Sequence, residues 1–438
     1  MPTAILHIGT EKTGTSSLQA FFKENRAALN QRGFHYPSWP GHINHTGLAA
    51  FAAADAVRDD LRIDLGVDDA ASLAILRERL AAEAAAETAA HAGRTHIFSN
   101  EHCSSRLTTP EEIGRLRSLL APLFDRIEIA VYLRRQDQVA VSLYSTLLKF
   151  GGDRPEILPD PALRPDYWNY DRQLALWAEA FGRDAVHPRI FDRTSLAGGS
   201  VVHDFCHRWG LGTGYADVRD ANESLQPHAG EVLRRLNTAF PGYVDGDLNR
   251  MRGELGARIG TLFPGRGPRP ARAAAEAFLA HFAESNEAVR RQWFPDREAL
   301  FSADFSSYPE TEDARAVTFD QAIEVMEALW RETQTKEIGL RYQVAVRDGQ
   351  IAELQGDTEA ARAAYGRAIR IDPGRAAARK RLAGLEEATR KPAPPPPPEV
   401  PERWAKEDAQ EDRRALWRKR LSLNGIRRLV GLQPRGRP

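Results

Sequence analysis

The sequence predicts an α/β protein: a three-layer parallel sheet with a P-loop-type phosphate site, followed by a C-terminal α-helical segment. Short apolar runs typical of buried strands lie at residues 4–8, 96–99, 127–133 and 186–190. Helical patterns separate these runs, and alternating strands and helices favour a parallel sheet covered by helices on both faces. A further short strand is predicted at residues 33–36.

Composition and charge limit the classes of protein. The chain has 438 residues, enough for two or three domains, and a formal net charge of zero at pH 7. A neutral chain has no bulk attraction to nucleic acid, so no specific nucleic-acid partner is expected. No apolar run is long enough to span a membrane, and no signal peptide is recognisable. The two cysteines, Cys103 and Cys206, form neither a disulfide framework nor a metal site, which fits a cytoplasmic protein without a metal.

The turn after the first predicted strand is typical of an anion site. Gly9 ends the strand and a helix is predicted to begin near Gly14, so free backbone amides and the positive end of the helix dipole face one point. The two glycines have the separation of a Walker A loop, but Thr15 stands where that loop has its lysine. The lysine of this loop is Lys12, which lies between the two glycines. For this segment alone, the alternative is an ordinary strand-to-helix turn.

The stretch Lys-Thr-Gly-Thr-Ser resembles the 5′-phosphosulfate loop of sulfotransferases, which use 3′-phosphoadenosine-5′-phosphosulfate (PAPS) as sulfuryl donor. The resemblance implies that this loop binds the donor, through Lys12, Thr13, Gly14, Thr15 and Ser16. The backbone amides of residues 13–16 would hold the 5′-phosphate, and the three hydroxyl groups would add donors. The family usually has proline before the lysine. This chain has glutamate at position 11, which is expected to point away from the anion.

A second anion motif follows the strand predicted at 127–133. Arg134 and Arg135 come directly after it, and a helical stretch from 138 to 150 carries Ser142. In sulfotransferases, an arginine at a strand end and a serine eight residues later hold the 3′-phosphate of the donor, and Arg134 and Ser142 have that spacing. Arginine is a fork-shaped donor that suits phosphate. The alternative is that both arginines are solvated residues at a strand end.

Together the motifs resemble bacterial sulfotransferases of the carbohydrate-modifying kind, over residues 1–305. The resemblance implies transfer of a sulfuryl group from PAPS to a hydroxyl or amine of a glycan-type acceptor, without a metal. Two alternatives stay open. A P-loop nucleotide kinase or triphosphatase predicts a lysine at position 15 and an acidic magnesium ligand after a later strand. A non-catalytic scaffold would instead use the C-terminal helices and tail.

The transfer also needs a general base for the acceptor proton. His45 lies in a segment after the second predicted strand, and histidine titrates near neutral pH. Glu101 follows the strand at 96–99, and doubly wound sheets bind ligands at the carboxyl ends of strands. The catalytic candidates are therefore Lys12, which would stabilise the leaving group, with His45 slightly favoured over Glu101 as the base. His42 and His102 are weaker candidates.

A helical segment is predicted at residues 315–390. Gly349, Gly356, Ala361, Tyr365 and Pro373 have spacings that resemble one tetratricopeptide unit. Stable arrays need about three units, so a lone unit is expected to pack on a neighbouring helix or on a protein partner. The alternative is a charged helical hairpin without a partner.

Two segments of biased composition end the chain. Residues 391–401 contain five consecutive prolines, which predicts a semi-rigid linker. Residues 402–438 are predicted to form a flexible basic tail. From position 413 onward the tail has eight arginines and one lysine, no acid, and interleaved apolar residues. This pattern suits peripheral binding to an anionic membrane surface. The alternatives are a solubilising tail or contact with nucleic acid.

Overall fold

A computed structural model describes residues 2–217, 224–244, 247–249, 251–252 and 254–390 of the protein. The chain divides into two compact units, one that ends at Thr333 and one that begins at Gln334. The predicted proline-rich linker and basic tail lie outside the described residues. No helix within the described ranges is both long enough and apolar enough to cross a membrane.

The first unit is built on a parallel sheet that has five strands within the described residues. The strands are β1 (Thr3–His7), β2 (Phe34–His35), β3 (Thr95–Ser99), β4 (Arg126–Leu133) and β5 (Val186–Ile190). Their order is β2-β3-β1-β4-β5, and every neighbouring pair is parallel. The predicted strands and their parallel arrangement are therefore confirmed. Two short antiparallel ladders accompany the sheet, β6 (Ser224–Leu225) with β9 (Pro264–Gly265) and β7 (Tyr243–Val244) with β8 (Asp247–Leu248).

Helices fill most of the connections between the strands. In chain order they are α1 (Thr15–Glu24), α2 (Arg26–Gln31), α3 (Thr46–Ala52), α4 (Asp60–Asp64), α5 (Ala70–Ala90), α6 (His102–Arg106), α7 (Pro110–Leu120), α8 (Gln136–Lys149), α9 (Pro165–Trp168), α10 (Tyr170–Phe181), α11 (Val201–Arg208), α12 (Pro227–Ala239), α13 (Leu255–Leu262), α14 (Arg272–Ala280), α15 (Ala283–Trp293), α16 (Phe319–Leu354), α17 (Thr358–Ile371) and α18 (Ala376–Arg390).

Each face of the sheet carries its own apolar core, because side chains along a strand point alternately to opposite faces. Leu6 of β1 and Val131 of β4 pack on one face with residues of α5, α7 and α10. Ile5 and Tyr132 pack on the other face with residues of α1 and α11. The central strands β1 and β4 are largely apolar because both of their faces are covered, which is the pattern expected of a covered parallel sheet.

The direction of the chain across the sheet reverses at β1. From β1 the chain crosses to β2, and later it crosses from β3 to β4 on the other side of β1. Open parallel sheets bind ligands at the carboxyl ends of the strands near such a reversal. At that edge Gly9 lies two residues beyond the end of β1, Glu101 two residues beyond the end of β3, and Arg134 directly after β4. The fold therefore brings the two predicted anion motifs and one predicted base to one edge.

In the second unit, the end of α16 packs with α17 and α18. The helices approach closely at Gly349, where an added Cβ would lie 2.5 Å from the ring of Tyr365. The Tyr342 hydroxyl accepts a hydrogen bond of 3.0 Å from the amide of Ala378. Gly349, Ala361 and Tyr365, which were singled out in the sequence, thus lie at helix contacts, whereas Gly356 is exposed. The tetratricopeptide interpretation itself stays a prediction.

Candidate active site

The loop after β1 is held by the neighbouring strand β4. The Thr10 amide donates to the Tyr132 carbonyl at 3.0 Å, and the Tyr132 amide donates to the Gly9 carbonyl at 2.7 Å. Lys12 and Gly14 both have left-handed backbone conformations, with φ of 64° and 79°. Helix α1 begins directly after Gly14. The first amides of a helix have no carbonyl partner within the helix, so this loop presents backbone donors at a positive helix end.

The hydroxyl groups of the loop do not all face the same way. The Thr13 side chain is fully buried and donates to the Thr10 carbonyl at 2.6 Å. Thr15 is buried as well, whereas Ser16 is exposed. The prediction that the Thr13 hydroxyl serves as a phosphate donor is therefore wrong, because this hydroxyl donates its proton within the loop. The prediction that the backbone amides of the loop hold a phosphate does not depend on this hydroxyl.

Lys12 is aimed at helix α8. Its ammonium donates to the Thr146 hydroxyl at 2.9 Å. Burial lowers the pKa of Lys12, the Glu11 carboxylate opposes this effect, and the positive charges of Arg134 and Lys149 add to the lowering. An anion bound beside this ammonium would offset both the cost of its burial and the repulsion from the other two cations.

The two arginines after β4 have different roles. Arg134 donates through Nη1 to the Lys12 carbonyl at 2.9 Å and lies over the Phe191 ring, 5.5 Å from its centroid. Arg135 instead forms a two-pronged ion pair with Asp137, at 2.8 and 3.0 Å. It also donates to the carbonyls of Ser302 and Asp304. Arg134 thus belongs to the candidate site, and Arg135 is a structural residue that fixes a distant loop.

One face of helix α8 connects the two anion motifs. Gln138 accepts a hydrogen bond from Arg134 Nε at 3.3 Å, and Thr146 accepts one from Lys12. Ser142 lies four residues from each, and residues four apart share a helix face. The partly exposed Ser142 therefore lies on the face that meets both cations. Gln138 and Thr146 were not predicted from the sequence, although their four-residue spacing from Ser142 was a usable signal.

A cavity of about 1400 Å³ opens beside this edge of the sheet. Gly14 and Ser17 border it at the start of α1, and Arg134 and Gln138 border it from the β4 side. The remaining wall includes Phe191 and the glycine-rich turn at 198–200. The cavity is large enough for a nucleotide-sized ligand. A cationic group, helix amides and an aromatic ring on its walls suit a ligand with both phosphate and an aromatic base.

Glu101 lies on the other side of the loop, at the N-terminal end of α6. Its carboxylate accepts a hydrogen bond of 2.6 Å from the Gln19 amide. A Cβ added to Gly9 would lie 3.1 Å from the Cα of Glu101, so the loop and this strand end are in van der Waals contact. The Glu101 carboxylate acts to raise the pKa of Lys12. Gln19, which orients this carboxylate, was not predicted from the sequence.

Glu11 is turned away from the cavity into a polar cluster. Its carboxylate accepts from the Tyr167 hydroxyl at 2.9 Å and lies 3.5 Å from His102 Nδ1. Burial alone would raise the pKa of Glu11, but the neighbouring side chains of His102, Ser105 and Tyr167 lower it to about 2. Although burial lowers the pKa of His102, the Glu11 carboxylate raises it above the ordinary value. The prediction that Glu11 points away from the anion site agrees with these contacts.

His45 is part of the core and lies outside the candidate site. Its side chain is 0% exposed and both ring nitrogens are engaged, Nδ1 by the Ser99 amide at 3.1 Å and Nε2 with the Pro37 carbonyl at 3.0 Å. Burial lowers the pKa of His45 to about 3. The preference for His45 as general base is therefore wrong, because it has no free nitrogen for a substrate proton. The weaker candidate His42 is bonded to Arg26 at the surface.

A possible metal-ligand group lies elsewhere in the first unit. Among the described residues, atoms of His35, Glu87 and His91 lie within 4.8 Å of one another. Glu87 already accepts hydrogen bonds from His35 and from the Ser38 and Trp39 amides. The rings of His35 and His91 are stacked at 3.6 Å, so their nitrogen lone pairs lie in parallel planes and do not converge on one point. These hydrogen bonds engage Glu87 and His35, whereas His91 Nδ1 is buried and has no hydrogen-bond partner among the described residues.

Comparisons with known proteins give distant similarities. No protein-family model matches the chain. An uncharacterised protein of Archaeoglobus fulgidus is 28% identical over 206 residues, and the match spans 45% of this chain and 55% of that protein. The crystal structure of a sulfotransferase from Alicyclobacillus acidocaldarius aligns with 59% of this chain and 94% of its own, at 18% identity and a TM-score of 0.32. Neither similarity assigns an activity to this chain.

Proposed function

We propose that the protein is a PAPS-dependent sulfotransferase that acts on a hydroxyl or amine of a glycan-type acceptor. The observation that carries the proposal is the meeting of two anion motifs that are 122 residues apart in sequence: Arg134 donates to the Lys12 carbonyl. A ligand with two separated phosphate groups fits such a pair. The 5′-phosphosulfate would bind the amides of the loop and the 3′-phosphate would bind Arg134 and Ser142.

Lys12 is the proposed stabiliser of the leaving group. As the acceptor oxygen bonds to sulfur, the bond from sulfur to the bridging oxygen of the donor breaks, and negative charge grows on the departing nucleotide bisphosphate. An ammonium on a flexible stem can follow this charge, which stabilises the transition state more than the ground state. The hydrogen bond to Thr146 supports this role, because it holds the ammonium over the loop before reaction.

Glu101 is the proposed general base. Its carboxylate would take the acceptor proton while the acceptor oxygen attacks sulfur, so the proton ends on Glu101 and the electron pair of the broken bond leaves with the nucleotide. The contact of Glu101 with Gln19 supports this assignment, since it fixes the carboxylate beside the loop. The glycan class of the acceptor rests only on the resemblance of the sequence to carbohydrate-modifying sulfotransferases.

The alternative of a nucleotide kinase or triphosphatase is disfavoured by two residues. Thr15 stands where a Walker A loop has its lysine, and β4 is followed by Arg134 where a magnesium enzyme would need a carboxylate. A non-catalytic scaffold is disfavoured because the cations of the site are present and connected by hydrogen bonds.

Thermal unfolding with nucleotides tests the proposal directly. Adenosine 3′,5′-bisphosphate should raise the melting temperature, because a ligand of the native state stabilises it, and adenosine 5′-monophosphate should raise it far less. ATP with magnesium is the comparison for the kinase alternative. Equal stabilisation by the bisphosphate and the monophosphate would refute the 3′-phosphate site, and stabilisation by ATP with magnesium alone would favour the alternative.

A further inference from the structure

The face of helix α8 that meets the two anion motifs continues to the end of the helix. Thr146 accepts the hydrogen bond from Lys12, and Lys149 follows three residues later. Lys149 is also seven residues beyond Ser142, and residues three or seven apart lie on one side of a helix. At about 1.5 Å per residue, Lys149 lies about 4.5 Å further along this face than Thr146.

The side chain of Lys149 is held in place by helix α13. A Cβ added to Gly260 would lie 2.9 Å from Cε of Lys149 and 3.3 Å from its Nζ, so the lysine stem lies on this glycine. One turn earlier, a Cβ added to Gly256 would overlap the Lys149 carbonyl. The two glycines let α13 approach the end of α8 closely, and this packing positions the ammonium.

This end of α8 is electrically positive. Arg252 donates through Nη2 to the Lys149 carbonyl at 2.6 Å and to the Leu148 carbonyl at 3.3 Å. A helix C-terminus carries partial negative charge, and the guanidinium offsets it. Burial lowers the pKa of Lys149, and the charge of Lys149 in turn acts to lower the pKa of Lys12. An anion placed between the two ammonium groups would therefore be attracted by both.

We propose that Lys149 forms a subsite for an anionic group of the acceptor, a carboxylate or a sulfate ester. The inference rests on the proposed sulfotransferase function and narrows its acceptor to an acidic glycan. With the 3′-phosphate at Ser142 and the bridging oxygen at Lys12, the sulfuryl group lies beyond Lys12 along α8. The acceptor oxygen would approach in line, from the side of the sulfur opposite the leaving oxygen. Lys149 lies in that direction, and its compact charge on a flexible stem suits either anion.

Calorimetric titration with matched oligosaccharides tests the subsite. The full chain is first saturated with adenosine 3′,5′-bisphosphate, which fills the proposed anion sites of the donor. The probes are a chondroitin hexasaccharide with carboxylates only, its neutral carboxyl-reduced form, and a carboxyl-reduced form that carries sulfate esters. We expect the neutral form to bind about 10–100-fold more weakly than the better charged form, the usual effect of losing a hydrogen bond between charged groups. The charged form that binds better identifies the anion.

Variants of Lys149 assign the effect to this residue. Lys149→Gln keeps most of the stem that packs on Gly260 and should remove the preference by weakening the charged form alone. Lys149→Arg keeps the charge and should retain most of the preference. Lys23→Gln, which replaces an exposed lysine in the last turn of α1, is the matched control and should retain all of it.

The saturation step separates this inference from the proposed function. If the wild type does not bind the bisphosphate, the proposed function fails and the subsite fails with it. If the bisphosphate binds but neither charged hexasaccharide binds more tightly than the neutral one, only the subsite is refuted. A preference that persists in Lys149→Gln would also refute it. A Lys149→Gln variant that loses affinity for the bisphosphate and keeps the preference would place Lys149 in the donor site instead.

Discussion

The two sides of the loop after β1 were not equally predictable from the sequence. On the β4 side, Lys12 and Arg134 lie where their motifs placed them and are connected by a hydrogen bond of 2.9 Å. On the β3 side, the favoured histidine is a core residue, and the carboxylate of Glu101 lies beside the loop instead. Anion binding uses backbone geometry that leaves a local signature in the sequence. A general base needs only a side chain in the right place, which no local pattern specifies.

The largest expected effect is on the β3 side. Glu101→Gln should lower turnover about 10²–10⁴-fold, the usual range for loss of a general base, because the amide cannot accept the proton. Donor binding should stay nearly unchanged, since Glu101 belongs to neither anion motif. The measurement is sulfate transfer alongside binding of adenosine 3′,5′-bisphosphate. Glu111→Gln, on the exposed surface of α7, is the control and should keep full activity.

His45 also lies on the β3 side, but its substitution is expected to affect stability more than turnover. His45→Ala should lower the free energy of unfolding by about 2–4 kcal/mol, because it removes a buried ring and two hydrogen bonds. The ring stacks on Tyr36 with centroids 4.3 Å apart. Turnover per folded molecule should change much less than in Glu101→Gln, which activity normalised to the folded fraction would measure. Normal stability with collapsed turnover would return the role of base to His45.

The next largest effect is expected on the β4 side. Lys12→Ala should reduce turnover about 10²–10³-fold, as does the loss of one donor to developing charge in other enzymes. The dissociation constant of the bisphosphate product should rise much less. Lys23→Ala, which replaces an exposed lysine in the last turn of α1, is the control. If Lys12→Ala weakened product binding as strongly as it slowed turnover, the ammonium would be a binding group only.

Arg134→Ala should mainly weaken donor binding. The expected loss is about 10–150-fold, which corresponds to about 1.5–3 kcal/mol for hydrogen bonds to a charged group. Turnover at saturating donor should fall less, because the phosphate contact is similar before and during reaction. Calorimetric titration with adenosine 3′,5′-bisphosphate measures the effect. Arg135 is not a suitable control because it fixes structure, so Arg193→Ala, which also lines the cavity but belongs to neither anion motif, gives the comparison.

The smallest expected effect is on the polar cluster behind the loop. Glu11→Gln should lower the pKa of His102, because the carboxylate holds that pKa above its ordinary value of 6.5. The stabilisation from His102 is complete below pH 6.5 and is lost as the pH rises through the raised pKa. The stabilisation from the Glu11 carboxylate is complete above pH 4.5 and is lost as the pH falls toward 2. The variant should therefore lose about 1–3 kcal/mol between pH 4.5 and 6.5 and less at pH 9.

Chemical denaturation of Glu11→Gln and of the wild type at pH 5.5 and pH 9 measures this difference. An equal loss at both values would contradict the ion pair and leave only a loss of packing. Glu24→Gln, exposed at the end of α1, should show no difference at either pH.

The sequence was informative where residue type and chain geometry are coupled. Strands buried on both faces are largely apolar runs, so their positions were predicted nearly to the residue, as for Arg126–Leu133. The loop was recognisable because Gly14 must adopt a positive φ and an added Cβ there would lie 2.7 Å from Val201. The burial of His45 depends on the packing of Tyr36 and Phe98 around it. Such packing joins segments distant in sequence, so residue type alone could not distinguish a core histidine from a catalytic one.

The hydrogen bond from Arg134 to the Lys12 carbonyl would make the two proposed anion sites a single bivalent receptor. A nucleotide bisphosphate would bind as two anions on one tether, and the second anion would meet its site at a high effective concentration. Inorganic phosphate or sulfate lacks the tether and would have to occupy each site separately. The protein should therefore discriminate against the abundant simple anions of the cell by valency, even though each of its sites alone is unselective.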